Sequence, residues 1–112
     1  MPQSVMVVTT DEIPGYTISE IIGVVFGISV RSRTAIGNTM GNISQVFGGE
    51  QKGYAKLVQN TREAALADLV QKAAAAGANA VLAVRFDSNQ VDNERNTALE
   101  EVLAYGTAVI LQ

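Results

Sequence analysis

One stretch, from Gly53 to Asp87, constrains the fold of this chain more than any other. Apolar residues recur at helical spacing over positions 53–76, and the Gly77–Asn79 segment has the residues of a turn that ends a helix. Alternating apolar residues over positions 80–87 then indicate a strand. The sequence therefore predicts a helix about 36 Å long that leads directly into a sheet.

One side of this helix is apolar over a broad arc, and a charged residue lies within it. The arc contains Tyr54, Val58, Ala65, Leu66, Leu69, Val70, Ala73 and Ala76. Arg62 lies in its middle, where an unpaired buried charge would be costly. Asp87, Glu100 and Glu101 are the nearest candidate partners for a structural salt bridge. Two alternatives stay open for Arg62: an anion site in an interface pocket, or a side chain that extends to solvent.

Two strands are predicted ahead of the helix. Residues 4–10 form a short β-rich run, a Pro14-Gly15 turn follows, and residues 16–31 form a second strand. One side of the second strand is strongly apolar and carries Ile18, Ile22, Val24, Phe26, Ile28 and Val30. Its other side is slimmer and contains glycines. A strand of this length would extend roughly 50 Å, so we expect that it either bends near Gly23 or Gly27 or projects beyond its own domain.

The remaining segments predict a second helix and a C-terminal hairpin. Residues 32–47 have a narrow apolar stripe at helical spacing. After a polar loop at residues 88–97, residues 98–111 alternate as a fourth strand that pairs antiparallel with the third. The fold class is thus α+β, with a small antiparallel-rich sheet and helices on one face, in a single domain spanning residues 1–112.

The last two strands are apolar on both sides, so both faces of the sheet require burial. The helices of one chain can cover only one of those faces. The other face then meets another copy of the chain. Since identical chains assemble with point symmetry, we expect a closed homo-oligomer.

Composition excludes several classes of function. The 112-residue chain has no Cys and no His, which rules out disulfides, thiolate nucleophiles, zinc fingers and histidine-based acid–base catalysis. A net charge of -3 argues against nucleic-acid binding. The longest apolar run, Ile21–Val30, is too short to span a bilayer, and the N-terminus lacks the basic start of a signal peptide. We therefore expect a cytoplasmic protein with no nucleic-acid or membrane partner.

Acidic residues near the hairpin are the first candidates for ion binding. They are Asp87, Asp92, Glu94, Glu100 and Glu101. Their oxygens suit hard cations, but their order does not match a calcium loop. Glu100 and Glu101 point to opposite faces of a regular strand and cannot chelate one ion together. A solvated loop is the simpler interpretation.

A glycine-rich segment at residues 48–53 is the second candidate, because it precedes a helix N-terminus where backbone N–H groups favour anions. Lys52 and Tyr54 would contact such an anion. A linker between two helices is the simpler interpretation, since no Walker or dinucleotide fingerprint is present. Soft metals prefer thiolate or imidazole, and the chain offers only the thioethers of its three methionines.

Short segments spread over nearly the whole chain have the residues and order of a known family. They are Ile22–Val25 with Gly27, Gly48-Gly49 with Gly53-Tyr54, Arg62–Leu66, Gly77–Val81 with Val84–Asp87, and Tyr105–Val109. In these segments the chain resembles the YbjQ family of small, mostly uncharacterised bacterial proteins (UPF0145), which also has a heavy-metal-binding label. The resemblance implies a β-α-β-β unit related to the dodecin-like fold, assembled as a ring, specifically a pentamer. The metal label does not suit the residues of this chain.

These observations favour a non-enzymatic, ring-forming protein that binds a small ligand at subunit interfaces and needs no cofactor. Serines and threonines are present, but no histidine base exists to activate them, so we do not expect an enzyme. The alternative is a metal- or anion-binding module. The candidates for interface or anion contacts are Arg62, Tyr54, Lys52, Asp87, Glu100 and Glu101.

Overall fold

The computed structural model of the protein describes residues 4–32, 50–92 and 98–112. These residues form four strands and one helix in the order β1 (Met6–Val7), β2 (Ile18–Ser32), α1 (Glu50–Ala75), β3 (Ala80–Asp92) and β4 (Ala98–Leu111). The predicted α+β class is confirmed. The helix predicted over residues 32–47 lies outside the described residues, apart from Ser32, which ends β2.

The strands form one mixed sheet with the order β1-β3-β4-β2. β4 is central and pairs antiparallel with both β2 and β3, whereas β1 pairs parallel with β3. The predicted β3–β4 hairpin and the antiparallel-rich sheet are therefore confirmed. In the described part of the sheet, β2 is the outer strand on one side.

α1 packs on one face of the sheet through a single stripe of residues four positions apart. The stripe consists of Leu57, Thr61, Ala65, Leu69 and Ala73, all fully buried. Thr61 is tolerated there because its hydroxyl donates a 2.6 Å hydrogen bond to the Leu57 carbonyl. Ala65, Leu69 and Ala73 belong to the arc predicted from the sequence, whereas Leu57 and Thr61 do not. Arg62, which the sequence places within the apolar arc, is exposed, so its charge is not buried.

The end of α1 matches the predicted glycine turn. Gly77 adopts a φ of 91°, which favours glycine. Its N–H donates to the Ala74 carbonyl at 3.0 Å, and the Ala78 N–H donates to the Ala73 carbonyl at 3.0 Å. This pair of bonds is a Schellman motif, and it turns the chain from α1 into β3.

β2 meets α1 through its slim side, because Gly27 leaves room for the helix backbone. A Cβ placed on Gly27 would lie 2.8 Å from the Leu69 Cα, and closer still to the Ala65 carbonyl oxygen. The helix therefore rests directly on the β2 backbone. As a result, the strongly apolar side of β2 faces away from α1.

Three register shifts change which side chains share a face, two in β2 and one in β3. In β2 the register shifts between Ile18 and Glu20 and again between Ile21 and Gly23, where Gly23, one of the two glycines near which a bend was expected, has a φ of 137°. The second shift places Ile22 against the helix-side core and leaves Ile21 exposed, which reverses their predicted sides. In β3 the register shifts between Leu82 and Arg85, around an Ala83 φ of 55°.

The N-terminal segment covers one end of the sheet face opposite α1, a contact that the sequence analysis did not predict. Met6, Val8 and Ile13 pack on a cluster formed by Ala80, Leu82, Val109 and Leu111. Asn79 fixes this end of the sheet, because its side chain bonds both the Leu111 carbonyl (2.9 Å) and the Leu111 N–H (2.7 Å). The rest of this second face is not covered by the N-terminal segment.

Strand bounds agree with the sequence analysis to within two residues at β2 and β4, and they differ at β1 and β3. β1 spans only Met6–Val7, whereas a run over residues 4–10 was predicted. β4 has the predicted bounds, and β2 begins two residues later than predicted and ends one residue later. β3, however, continues through Ser88 to Asp92, where a polar loop was predicted. Among the described residues, no helix is both long enough and apolar enough to cross a membrane.

Candidate functional site

The most conspicuous surface is the part of the sheet that faces away from α1 and lies beyond the N-terminal segment. Six large apolar side chains of β2 are exposed there: Ile18, Ile21, Val24, Phe26, Ile28 and Val30. The exposed fraction is 66% for Val24, 51% for Phe26 and Ile28, and 52% for Val30. We call this surface the open face.

Strand register shows that these side chains share one face. Directly paired residues in antiparallel strands project to the same side of the sheet. Phe26 pairs with Tyr105 and Ile28 pairs with Leu103. Tyr105 is itself 38% exposed, so the apolar surface continues from β2 onto β4. The open face is therefore a contiguous stripe along the length of β2 and not a set of isolated side chains.

Charged residues of β3 and β4 border the open face. Arg85 pairs with Tyr105, Asp87 pairs with Leu103, and Glu101 pairs with Val30, so all three charged residues belong to this face. An apolar centre with a charged border is the usual anatomy of a protein–protein interface. The border carries both signs of charge, which a second copy of the same surface or a different surface of another copy can match.

Arg85 has a fixed position at this border. Its Nη1 donates to the Thr9 carbonyl and to the Val84 carbonyl, each at 2.9 Å. The Ala83 N–H also donates to the Thr10 carbonyl at 2.9 Å, so the β3 irregularity is bonded to the N-terminal segment. A surface cleft of about 670 Å³ lies beside it, lined by Thr9, Thr10, Asp11, Glu12, Pro14 and Arg85. Sequence analysis did not select Arg85, because nothing in its local pattern separates it from an exposed strand residue.

The outer edge of β2 is bonded to the helix at one point. The Ile28 N–H donates to Asp68 Oδ2 at 3.0 Å, and Lys72 Nζ lies 2.9 Å from the same oxygen. The hydrogen bond from Ile28 and then the one from Lys72 hold the pKa of Asp68 below its ordinary value of 3.8. The Asp68–Lys72 ion pair can be predicted from the sequence, because the two residues are four positions apart on a helix. The hydrogen bond between Asp68 and β2 cannot be predicted in this way.

Arg62 has a different environment from the one expected. Its guanidinium carbon lies 5.5 Å from the centroid of the Phe86 ring, an arrangement that allows a cation–π contact on the helix side of the sheet. Asp87 and Glu101 belong to the opposite face, so the sheet separates Arg62 from two of its three predicted partners. Of the alternatives considered for Arg62, an exposed side chain fits the structure.

The two predicted anion contacts lie near the start of α1. The Tyr54 hydroxyl donates to Gln90 Oε1 at 3.3 Å, which ties α1 to β3. Lys52 is in α1, but its side chain lies outside the described part of the chain. The structure thus gives Tyr54 a bonding role within the fold, and its role with an anion stays a prediction.

Glu100 and Glu101 project to opposite faces, as predicted. Glu100 is only 4% exposed, on the helix side, and its Oε2 has no hydrogen-bond partner in the described structure. In the same row of the sheet, Arg31 on β2 and Gln90 on β3 are its paired neighbours. Sequence analysis placed Glu100 in a solvated acidic group, and that interpretation is wrong for this residue.

Comparison with known protein sequences shows which family this chain is similar to. A family model described as "Putative heavy-metal-binding" matches residues 5–112. A UPF0145 protein of Acidiphilium cryptum is 48% identical over 108 residues, which is 96% of this chain and 95% of the relative. A UPF0145 protein of Saccharolobus islandicus is 44% identical over 106 residues, or 95% of this chain and 90% of the relative.

A solved structure has the same fold. It is the crystal structure of a protein of unknown function from the DUF74 family of Pediococcus pentosaceus, with a TM-score of 0.66 at 17% identity. The match covers 96% of this chain and 98% of the other. Over residues 4–32, 50–92 and 98–112, the fold and the open face define a small α+β protein whose sheet has a helix on one face and is largely exposed on the other. The chain belongs to the YbjQ (UPF0145) family.

The family description raises the question of whether a heavy metal fits this chain. Soft metal ions prefer thiolate and imidazole ligands, and the sequence has neither Cys nor His. Among the described residues, no three acidic side chains come together as a candidate ligand group. Met6, the described thioether, packs in the apolar cluster under the N-terminal segment. The donor atoms of this chain therefore do not fit a heavy-metal site.

Proposed function

We propose that the protein acts as a closed homo-oligomeric ring without catalytic activity, assembled by burial of its open face. One observation supports this most directly: the six apolar side chains of β2 are exposed together on one side of the sheet. At roughly half exposure they leave an apolar patch on the order of 400 Å², which is in the range of the largest patches on soluble monomers, and such patches often mark interaction sites. Water contact with this patch disfavours the isolated chain.

Burial of the patch contributes favourable free energy to association. At about 25 cal/mol per Å², the patch contributes roughly 10 kcal/mol before the cost of lost translational and rotational freedom, which is of similar size. Contacts from β4 and the charged border must therefore add to the patch. A closed ring has two such contacts per subunit, and the resemblance noted above implies five subunits.

A second copy of the chain is the occupant that fits the open face best. The border of the face carries the positive Arg85 and the negative Asp87 and Glu101. Copies of one chain can therefore supply charges of opposite sign to each other. A small ligand would bind where two subunits meet, next to the cleft beside Arg85. Native mass spectrometry of the purified protein reports the number of subunits and any retained ligand together.

The test compares wild-type protein with Val24→Lys by size-exclusion chromatography and light scattering. Val24 is more exposed than Phe26, Ile28 and Val30. Lysine at this position therefore adds a charge to the contact without disturbing the core. We expect a single oligomeric mass for the wild type and the mass of one chain for the variant. Ala74→Lys, on the exposed side of α1, is the matched control and should retain the wild-type mass. A wild-type monomer at micromolar concentration would reject the proposal.

A further inference from the structure

The outer edge of β2 offers a second route to association, different from the open face. In the described part of the sheet β2 pairs on one side only, with β4. The backbone groups on the other side of an edge strand form a template for another strand. β2 spans 15 residues and is rich in apolar β-formers, which makes it a long template of this kind.

The direction of the edge amides follows from the bond at Ile28. Its N–H points away from β4 because it donates to Asp68 on the helix. Backbone groups alternate along a strand, so the N–H groups of Phe26 and Val30 point the same way. These residues also carry side chains of the open face. The edge and the open face therefore lie next to each other along the same strand.

The Asp68 carboxylate occupies a hydrogen-bonding position in the middle of this edge. It stands where the carbonyl of an added strand would have to accept the Ile28 N–H, at 3.0 Å. Lys72 bonds the same oxygen at 2.9 Å and holds the side chain in place. An added strand would have to displace a charged group or bury it, and taking a charged pair out of water is costly.

We propose that Asp68 blocks strand addition at the outer edge of β2 and thereby confines self-association to the open face. This inference rests on the proposed function, since it concerns how the same subunits join. Without the block, two kinds of contact would be open to each chain. Subunits joined through both would form open-ended stacks of sheets, because a contact that does not close into a ring continues indefinitely.

The first test uses wild-type protein and the variants Asp68→Ala and Lys72→Met. We expect Asp68→Ala to give a light-scattering mass that rises with protein concentration without a plateau. Lys72→Met leaves the carboxylate on Ile28 and should retain the wild-type mass. An Asp68→Ala mass equal to that of the wild type would overturn the inference.

A second test needs no variant and holds even if Asp68→Ala folds poorly. Amide hydrogen exchange of the wild-type oligomer should protect Ile28 far more than Phe26 and Val30, whose edge N–H groups face solvent. Equal, strong protection of all three would mean that a strand of another subunit occupies the edge, and the inference would be wrong. The two proposals fail differently: a wild-type monomer rejects the ring, whereas an oligomer with a protected β2 edge rejects only the role of Asp68.

Discussion

At the scale of single residues, the position of α1 depends on the absence of a Cβ atom at Gly27. Packing of a helix on a sheet normally separates the two by a layer of side chains. Here the Leu69 Cα lies within 2.8 Å of the position that a Gly27 Cβ would occupy. The obstacle is backbone and not the end of a flexible side chain, so it cannot rotate away. Gly27 therefore sets how close α1 lies to β2.

Gly27→Ala is expected to lower the free energy of unfolding by about 1–3 kcal/mol, or more if α1 cannot shift, because the added methyl overpacks the contact. Urea unfolding followed by circular dichroism measures the change. Gly53→Ala is the matched control: the same chemical change inside α1 should leave stability unchanged or raise it by up to about 1 kcal/mol. Equal effects of the two substitutions would show that Gly27 is not a close-contact position.

The residue scale is also where the sequence analysis was least accurate. Counting positions around an ideal helix placed Arg62 in the apolar arc, whereas the buried stripe runs through Leu57 and Thr61. The predicted arc was broad, and a helix that rests on a glycine buries a narrower stripe than its apolar residues suggest. Which part of a broad arc is buried depends on the opposing surface, and a single sequence does not contain that information.

At the scale of elements, the sequence predicted the type and order of every described element. It missed the second half of β3, because Ser88, Asn89 and Gln90 are polar and have low strand propensity. Their strand conformation comes from pairing with β4 and not from local preference, as in the register Asn89 with Glu101. The face reversal of Ile21 and Ile22 was missed for a related reason, since a register shift has no periodic signal.

Asn79 links two elements and gives a test of how the C-terminal strand is held. Its amide supplies both a donor and an acceptor to the backbone of Leu111. Asn79→Asp keeps the acceptor and replaces the donor by a second acceptor that faces the Leu111 carbonyl. We expect a loss of about 1–3 kcal/mol in the free energy of unfolding, the cost of an unsatisfied, part-buried carbonyl.

The same amide-to-acid change at an exposed site separates this loss from a general effect of charge. Gln71→Glu, on the exposed side of α1, should change stability by no more than about 0.5 kcal/mol. Thermal unfolding of both variants at neutral pH gives the comparison. If Asn79→Asp were as stable as Gln71→Glu, the end of the sheet would be held by its apolar cluster alone.

At the scale of the whole molecule, the imbalance between the two faces of the sheet was predictable and its details were not. Alternation in the last strands indicated two faces that need burial. The sequence did not reveal that residues before β2 cover one end of the second face, since the short β-rich run at residues 4–10 does not show where it packs and Ile13 belongs to no periodic element. It also did not indicate that Asp68 bonds the edge of β2. Contacts between distant segments decide both features.

The chemical character of the open face predicts how assembly should respond to temperature and salt. Burial of apolar surface weakens on cooling, whereas contacts between exposed charges weaken as salt is added. We therefore expect the oligomer to lose mass on cooling towards freezing in dilute solution. It should keep its mass between about 0.1 M and about 1 M sodium chloride, although the screening length falls from about 10 Å to about 3 Å. Light scattering at several temperatures and salt concentrations measures both. Dissociation by salt at constant temperature would instead assign the contact to the charged border around Arg85, Asp87 and Glu101.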